Sequence, residues 1–146
     1  MERDGGLSSS SDPDAPHFWK EAEEFFNWLK PNSTLAWNNW GYPNVNRSFG
    51  NSWANIHPPG GWTDVHTHGT AKQVVVLYLQ QPTNGGNLEI QNPLFYHWQG
   101  YYTGAPEWLE IKVNTGDVLL FPGWISHRSQ KNLSSENRIV LSFNIG

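Results

Sequence analysis

The feature that most constrains the fold is a series of short apolar segments, separated by turn residues, that begins near residue 48. The clearest is Gln73–Gln80 (QVVVLYLQ), a β-branched run typical of a buried strand. Many short strands with turns at steady spacing favour an antiparallel jelly roll or barrel over a parallel sheet. The other predicted strands are 48–56, 62–68, 87–91, 109–113, 118–121 and Arg138–Ile145.

One helix is predicted before this series, at residues 17–29 (HFWKEAEEFFNWL). Its apolar residues recur at three- and four-residue spacing, so they share one face. Pro31 is expected to end the helix, because proline lacks the backbone N–H that a helix interior needs. The predicted fold is therefore a mainly β jelly roll or barrel, with one N-terminal helix packed on its outside.

Charge and composition exclude several classes of partner. The formal net charge is -4, and no cluster of lysine or arginine offers a surface for nucleic acid. No run of about 18 apolar residues is present, so the sequence predicts no membrane partner. The chain contains no cysteine, which excludes disulfides and thiolate ligands.

The N-terminal residues differ in character from the rest of the chain. Residues 1–16 are polar, lack the apolar core of a signal peptide, and are predicted to be a disordered tail. Residues 17–146 are predicted to form a single domain, as the total length of 146 residues suggests. We expect a cytoplasmic location, in the host cytoplasm if the chain is viral.

Three histidines point to a metal site. His66 and His68 are two residues apart in a predicted strand, so they share a face. His127 follows an apolar strand and a Pro-Gly turn, about sixty residues later, where a strand can pair back across the barrel. Imidazole suits iron, zinc, copper and nickel, and three such ligands leave coordination positions open for oxygen and substrate.

A basic residue follows this histidine at the head of the last strand. Arg138, Val140, Ser142 and Asn144 alternate onto one face, which can point into the barrel with His127. An arginine buried there needs an anion, and its planar fork suits a carboxylate. The alternative is a salt bridge at a strand end, although this strand carries no acidic residue.

Five blocks of the sequence occur in a characteristic order. They are SWANIH at 52–57, HTH at 66–68, VLYL at 76–79, LFPGWISH at 120–127 and RIVLSFNI at 138–145. In this order they resemble the 2-oxoglutarate- and iron(II)-dependent oxygenases, and most closely the branch common in bacteria and in viruses of cyanobacteria. The resemblance covers about two-thirds of the chain, from residue 48 to the end.

The resemblance implies a double-stranded β-helix and three cofactors: iron(II), 2-oxoglutarate and O₂. His66 and His127 match the two histidine ligands of iron, and Arg138 matches the basic residue that holds the distal carboxylate of 2-oxoglutarate. Ser142 and Asn144 would line the pocket beside Arg138. The implied reaction is hydroxylation of a C–H bond, with decarboxylation of 2-oxoglutarate to succinate.

Two positions leave alternatives open. His68 stands where the family usually has a carboxylate ligand, and Asp64 could substitute because it shares the face of His66 and His68. Tyr78 is a candidate for a hydrogen bond to 2-oxoglutarate, but strand parity also allows it to point outward with Leu77 facing in.

Two other classes of protein compete with the oxygenase. A cupin-type metalloprotein, acting as a dioxygenase or isomerase without 2-oxoglutarate, has partly matching motifs but does not need Arg138. A non-catalytic jelly-roll binding module would use the nine tryptophans for stacking but leaves the three histidines unexplained.

The substrate is expected to be a small molecule or a peptide, and the protein could form a homodimer. Specificity on such scaffolds usually lies in loops, and residues 93–108 form the longest loop after the metal motif. His17 and His57 are expected to be surface or packing residues. The candidate substrate-pocket residues are Trp62, His97, Trp98, Tyr102 and Trp124.

Overall fold

The computed structural model describes residues 6–9, 15–98 and 104–146. Two 3₁₀ turns, Pro16–Phe18 and Lys20–Ala22, precede the first helix. The two helices are α1 (Glu23–Asn39) and α2 (Phe95–Trp98). The strands are β1 (Leu7–Ser8), β2 (Phe49–His57), β3 (Thr63–His66), β4 (Gln73–Gln80), β5 (Leu88–Gln91), β6 (Trp108–Ile111), β7 (Val118–Pro122), β8 (His127–Ser129) and β9 (Arg138–Ile145).

Two antiparallel sheets form the body of the protein. One has five strands in the order β1-β2-β9-β4-β7, and the other has four in the order β3-β8-β5-β6. The last strand in the chain therefore lies in the centre of the larger sheet, between β2 and β4. This arrangement confirms the predicted jelly roll, and both β4 and β9 have the predicted bounds.

The side chains of β4 alternate between two apolar clusters. Val74, Val76 and Tyr78 face the inside of the barrel, where they pack with residues of β7 and β9. Val75 and Leu77 face outward against α1, which contributes the fully buried Leu29 and Phe26 to the second cluster. The helix therefore packs on the outside of the larger sheet, as predicted.

The predicted end of the helix is wrong, because α1 continues past Pro31 to Asn39. Pro31 removes only its own hydrogen bond, while tertiary contacts hold the following turns. Gln73 Nε2 donates to Ser33 O at 2.9 Å, and Trp37 Nε1 donates to Pro43 O at 2.8 Å. Among the described residues, no helix has both the length and the apolar character needed to cross a bilayer.

Two short strands were not predicted. Leu7 and Ser8 pair with Ile56 and Asn55 of β2, so this part of the expected disordered tail is ordered on the sheet. The strand β8 directly follows the Pro-Gly turn and pairs with β3 and β5. The division of the chain into residues 1–16 and 17–146 stays a prediction.

Candidate metal centre and pocket

The three histidines meet at one end of the barrel. His66 at the end of β3 pairs directly with His127 at the start of β8, and His68 lies two residues beyond β3. The ring centroids are 4.2 Å apart for His66 and His127, 5.1 Å for His68 and His127, and 5.2 Å for His66 and His68. One nitrogen of each ring lies within 4.8 Å of the other two, which is the spacing of ligands around one metal ion.

The hydrogen bonds of the rings define which nitrogen can bind a metal. His66 Nδ1 bonds Asp64 O at 2.7 Å, and His127 Nδ1 bonds Ile125 O at 3.0 Å. His68 Nδ1 bonds the side-chain oxygen of Asn144 at 2.6 Å. Because a carbonyl oxygen can only accept, each bond places the ring proton on Nδ1 and the lone pair on Nε2. Such partners are typical of histidines that ligate metals.

Burial keeps two rings of the cluster, His68 and His127, neutral. Burial lowers the pKa of His127 to about 3, and the nearby His66 adds to this effect. Burial likewise lowers the pKa of His68 to about 4, although its hydrogen bond to Asn144 acts in the opposite direction. Both imidazoles are therefore neutral at pH 7, which is the state that binds metal.

Asp64 does not join the cluster. Its side chain is exposed, and its Oδ1 accepts a hydrogen bond from Val65 N at 2.7 Å. Among the described residues, the only group able to hold a metal consists of His66, His68 and His127. The structure thus favours His68 over Asp64 as the third ligand.

The Pro-Gly turn before His127 is packed against the loop that carries His68. His68 N donates to Gly123 O at 2.9 Å, and Gly123 N donates to Lys72 O at 3.2 Å. A Cβ at position 123 would lie 2.0 Å from Ala71 O, so only glycine allows this approach. The glycine therefore holds together the two loops that position His68 and His127.

A pocket extends from the three histidines into the barrel. No acidic side chain is among the described residues that line it. The lining residues are Trp53, Asn55, His57, Thr63, His66, His68, Val76, Tyr78, Leu88, His127, Arg128, Ser129, Arg138, Val140 and Ser142.

Arg138 lies at the other end of this pocket and is only 1% exposed. Its Nη1 donates to Gly85 O at 2.7 Å, Gln130 O at 3.0 Å and Gly86 O at 3.1 Å, and its Nη2 donates to Ser129 Oγ at 2.8 Å. No carboxylate contacts it within the part of the chain that the structure describes, which argues against the strand-end salt bridge. Burial lowers its pKa, but a guanidinium stays charged in proteins.

Tyr78 faces the pocket. The sequence left open whether Tyr78 or Leu77 points inward, and in the structure it is Tyr78. It is 3% exposed and packs in the inner cluster, whereas Leu77 packs outward against α1. Burial raises the pKa of Tyr78 to about 12, so its hydroxyl stays protonated and can donate a hydrogen bond.

The two polar residues expected beside Arg138 differ in position. Ser142 lines the pocket, where Asn55 Nδ2 lies 3.5 Å from its Oγ. Asn144 is not among the lining residues and contacts His68 instead.

The aromatic candidates for a substrate pocket are not brought together. Trp62 is half-buried and His97 is exposed, and neither lines the pocket. Trp124 is 54% exposed, and its Nε1 donates to the Tyr42 hydroxyl at 2.9 Å, also outside the pocket. Tyr102 and the side chain of Trp98 lie outside the described residues.

Sequence reasoning missed a row of pocket residues on β2. Trp53, Asn55 and His57 alternate onto the inner face, and all three are buried. His57 was expected to be a surface or packing residue, and a surface position is wrong. The residue is only 2% exposed, and its Nε2 lies 2.6 Å from Thr63 Oγ1. The period of two along the predicted strand was the signal that could have found this row.

Two facing antiparallel sheets with three converging histidines define a metalloprotein of the double-stranded β-helix class. A family model described as "Putative 2OG-Fe(II) oxygenase" matches residues 51–144. This match covers more than half of the chain, so the chain belongs to that family. No curated protein sequence matches the chain significantly.

Solved structures share the fold at low sequence identity. A prolyl-4-hydroxylase from Pseudomonas putida is 13% identical with a TM-score of 0.64, over 96% of this chain and 70% of that one. HygX from Streptomyces hygroscopicus, with nickel and 2-oxoglutarate bound, is 15% identical with a TM-score of 0.59, over 92% and 72%.

An oxidoreductase of the 2OG-Fe(II) oxygenase family from Burkholderia pseudomallei is 13% identical with a TM-score of 0.59, over 78% of this chain. The chain spans only 51% of the length of that protein.

Proposed function

We propose that this chain is an iron(II)- and 2-oxoglutarate-dependent oxygenase that hydroxylates a C–H bond of a small molecule or peptide and converts 2-oxoglutarate to succinate. One observation carries the proposal. A single pocket has three convergent imidazoles at one end and a buried arginine without a carboxylate partner among the described residues at the other.

The histidine cluster fits iron(II). Its three Nε2 atoms carry lone pairs, and imidazole is a suitable ligand for this ion. Three protein ligands would leave further coordination positions of the ion open. When bound there, iron(II) supplies the oxygen-activating chemistry of the family.

The charges of the pocket fit a dicarboxylate. The three histidines are uncharged ligands, so they leave the double positive charge of the ion unbalanced, and Arg138 adds one more. Because the described lining contains no acidic residue, a dianion is the complementary ligand.

The residues around Arg138 orient that ligand and keep water out. Arg138 has one N–H of Nη2 left after its four bonds to the protein, and the Tyr78 hydroxyl faces the same pocket. Together they offer two donors to a carboxylate in a buried environment, where charge-assisted hydrogen bonds are strong. Val76, Leu88 and Val140 supply apolar walls.

The cytoplasmic location and the homodimer stay predictions from the sequence.

The deciding experiment is an anaerobic titration of the iron(II)-loaded protein with 2-oxoglutarate. We expect a visible charge-transfer band in the wild type, and succinate formation once O₂ is admitted. Arg138→Met should lose the band at the same ligand concentration while still binding iron. Arg47→Met is the matched control, because Arg47 lies outside the pocket, donates to Ser33 O and stacks on Trp37.

Arg138 also bonds three loop carbonyls, so its variant could be unstable. Arg138→Lys keeps the charge and separates the two effects, and thermal unfolding of each variant reports the fold. Iron binding without a band in the wild type would instead support the cupin-type reading. Absence of any metal binding would support a non-catalytic module.

A further inference from the structure

The three histidine rings are held in two different ways. His66 and His127 each bond a backbone carbonyl two residues earlier in their own segment, Asp64 O and Ile125 O. Both bonds join residues two apart in the sequence, so they depend only on the local backbone conformation. His68 lies beyond the end of β3 and bonds a side chain 76 residues away, Asn144 Oδ1 at 2.6 Å.

The amide of Asn144 is itself oriented by a second residue. Its Nδ2 donates to Asn51 Oδ1 at 2.8 Å, which turns its Oδ1 toward His68. An amide oxygen can only accept, so the His68 proton is drawn to Nδ1 and the lone pair to Nε2. The Trp53 ring stacks on His68 with centroids 5.7 Å apart and limits rotation of the imidazole.

We propose that Asn144, held by Asn51, is the positioning residue of the third histidine. It sets the tautomer of His68 and directs Nε2 at the metal. This role rests on the proposed function and differs from the place beside Arg138 that the family resemblance implied for Asn144.

The side-chain bond has a consequence for the strength of the ligand. An amide holds the imidazole without adding charge, whereas a carboxylate in the same place would draw the proton further and make Nε2 a stronger donor. Asn144→Asp is therefore expected to keep the tautomer, and Asn144→Leu to release it. Asn144 thus orients His68 without bringing a negative charge to the pocket.

The test reads the tautomer in the metal-free protein, by ¹⁵N NMR of the histidine rings. In the wild type and in Asn144→Asp we expect the proton of His68 on Nδ1. In Asn144→Leu we expect a mixture of tautomers or a shift to the Nε2–H form. Gln73→Leu is the matched control, because it removes a buried amide that lies outside the pocket lining and donates to Ser33 O of α1.

Iron(II) affinity provides the second readout. Asn144→Leu should weaken iron(II) binding by about 10- to 100-fold, the usual effect of losing such a partner, and Asn144→Asp should bind at least as tightly as wild type. Asn51→Ala should weaken binding less, because it loosens the amide without removing it. If Asn144→Leu does not fold, Asn51→Ala and Asn144→Asp carry the test.

The proposal is overturned if a folded Asn144→Leu keeps His68 protonated on Nδ1 and keeps its iron affinity. It is also overturned if Asn144→Asp binds iron as weakly as Asn144→Leu, because a role in packing alone would give that result. Failure of the proposed function has a different signature, since it would leave the metal-free tautomer unchanged.

Discussion

At the metal end of the pocket, His66 and His127 are partners across one pair of strands, whereas at the opposite end Arg138 is held by carbonyls from two loops. The first arrangement follows from strand pairing and from hydrogen bonds within a few residues. The second requires the 82–87 turn and the segment around Gln130 to fold against the start of β9. The positions of His66 and His127 therefore follow from strand pairing, whereas His68 and the arginine end depend on side-chain contacts with distant segments.

Gly86 illustrates this dependence. It has φ of +81°, and a Cβ there would lie 2.5 Å from Lys131 O, 2.7 Å from Gln130 O and 2.9 Å from Arg138 Nη1. No side chain fits between the loops and the guanidinium. Changes confined to one end should consequently leave the other end intact, which the following predictions test.

The largest effect is expected from His127→Ala. This substitution removes the most buried of the three ligands, and we expect iron(II) affinity to fall by more than about 100-fold, beyond the effect of losing an outer partner. His97→Ala is the control, because His97 is exposed and outside the pocket. Calorimetric titration measures both variants. Tight iron binding by His127→Ala would contradict the assignment of the metal end.

Acid should destabilise the metal end of the metal-free protein. His127 and His68 have pKa values lowered to about 3 and about 4, while the unfolded chain takes up protons on histidine near pH 6.5. Between these limits the unfolded state binds more protons, so stability is lost as pH falls. The loss is at most about 1.4 kcal/mol per pH unit for each ring, and less for His68, which is nearer solvent.

Chemical denaturation at pH 7, 6 and 5 would measure this dependence. His127→Asn should flatten it by removing one of the two groups, and bound iron should oppose it because the metal competes with protons. If His127→Asn left the slope of unfolding free energy against pH unchanged, this would contradict the assignment of His127 as a buried, neutral group.

A smaller effect, confined to the arginine end, is expected from Gly86→Ala. Strain at positive φ costs about 1–3 kcal/mol, and displacement of Arg138 should weaken 2-oxoglutarate binding by about tenfold. Gly116→Ala is the matched control, because Gly116 has φ of +92° but nothing within 4 Å of a Cβ. It should show the strain without the loss of 2-oxoglutarate affinity. If both variants lost the same 2-oxoglutarate affinity, the loss would come from backbone strain and not from displacement of Arg138, which would contradict the comparison between the two ends.

The smallest effect is expected from Tyr78→Phe. Removal of one hydroxyl donor to a carboxylate should weaken 2-oxoglutarate binding by about fivefold while iron affinity stays the same. Tyr42→Phe removes a hydroxyl outside the pocket, which accepts a hydrogen bond from Trp124 Nε1, and should change neither affinity. The visible charge-transfer band at limiting 2-oxoglutarate reports the difference. An unchanged band would mean that Arg138 holds the carboxylate alone.

The same contrast explains how much could be predicted from the sequence. The bounds of Gln73–Gln80 and Arg138–Ile145 follow from unbroken apolar character, and the convergence of His66, His68 and His127 follows from strand period and loop length. These features follow from patterns of residue type and spacing, which a single sequence displays.

The features that were missed depend on distant partners. The helix passes Pro31 because residues 33 and 37 are anchored by Gln73 and Pro43. Asn144 holds His68 across 76 residues, and the carbonyl partners of Arg138 come from loops whose path the sequence does not state. Pattern and spacing carry no information on such contacts.

One strand links both ends of the pocket. Arg138 and Asn144 lie six residues apart on the inward side of β9, and β2 pairs with this stretch without a shift from His57↔Arg138 to Ser52↔Phe143. At about 3.4 Å per residue, their Cα atoms are separated by about 20 Å. The strand therefore fixes the spacing between the residue that holds His68 and the residue at the other end of the pocket. Inserting two residues between them would lengthen this spacing by about 7 Å, and inserting one would turn one of the two side chains to the other face of the sheet.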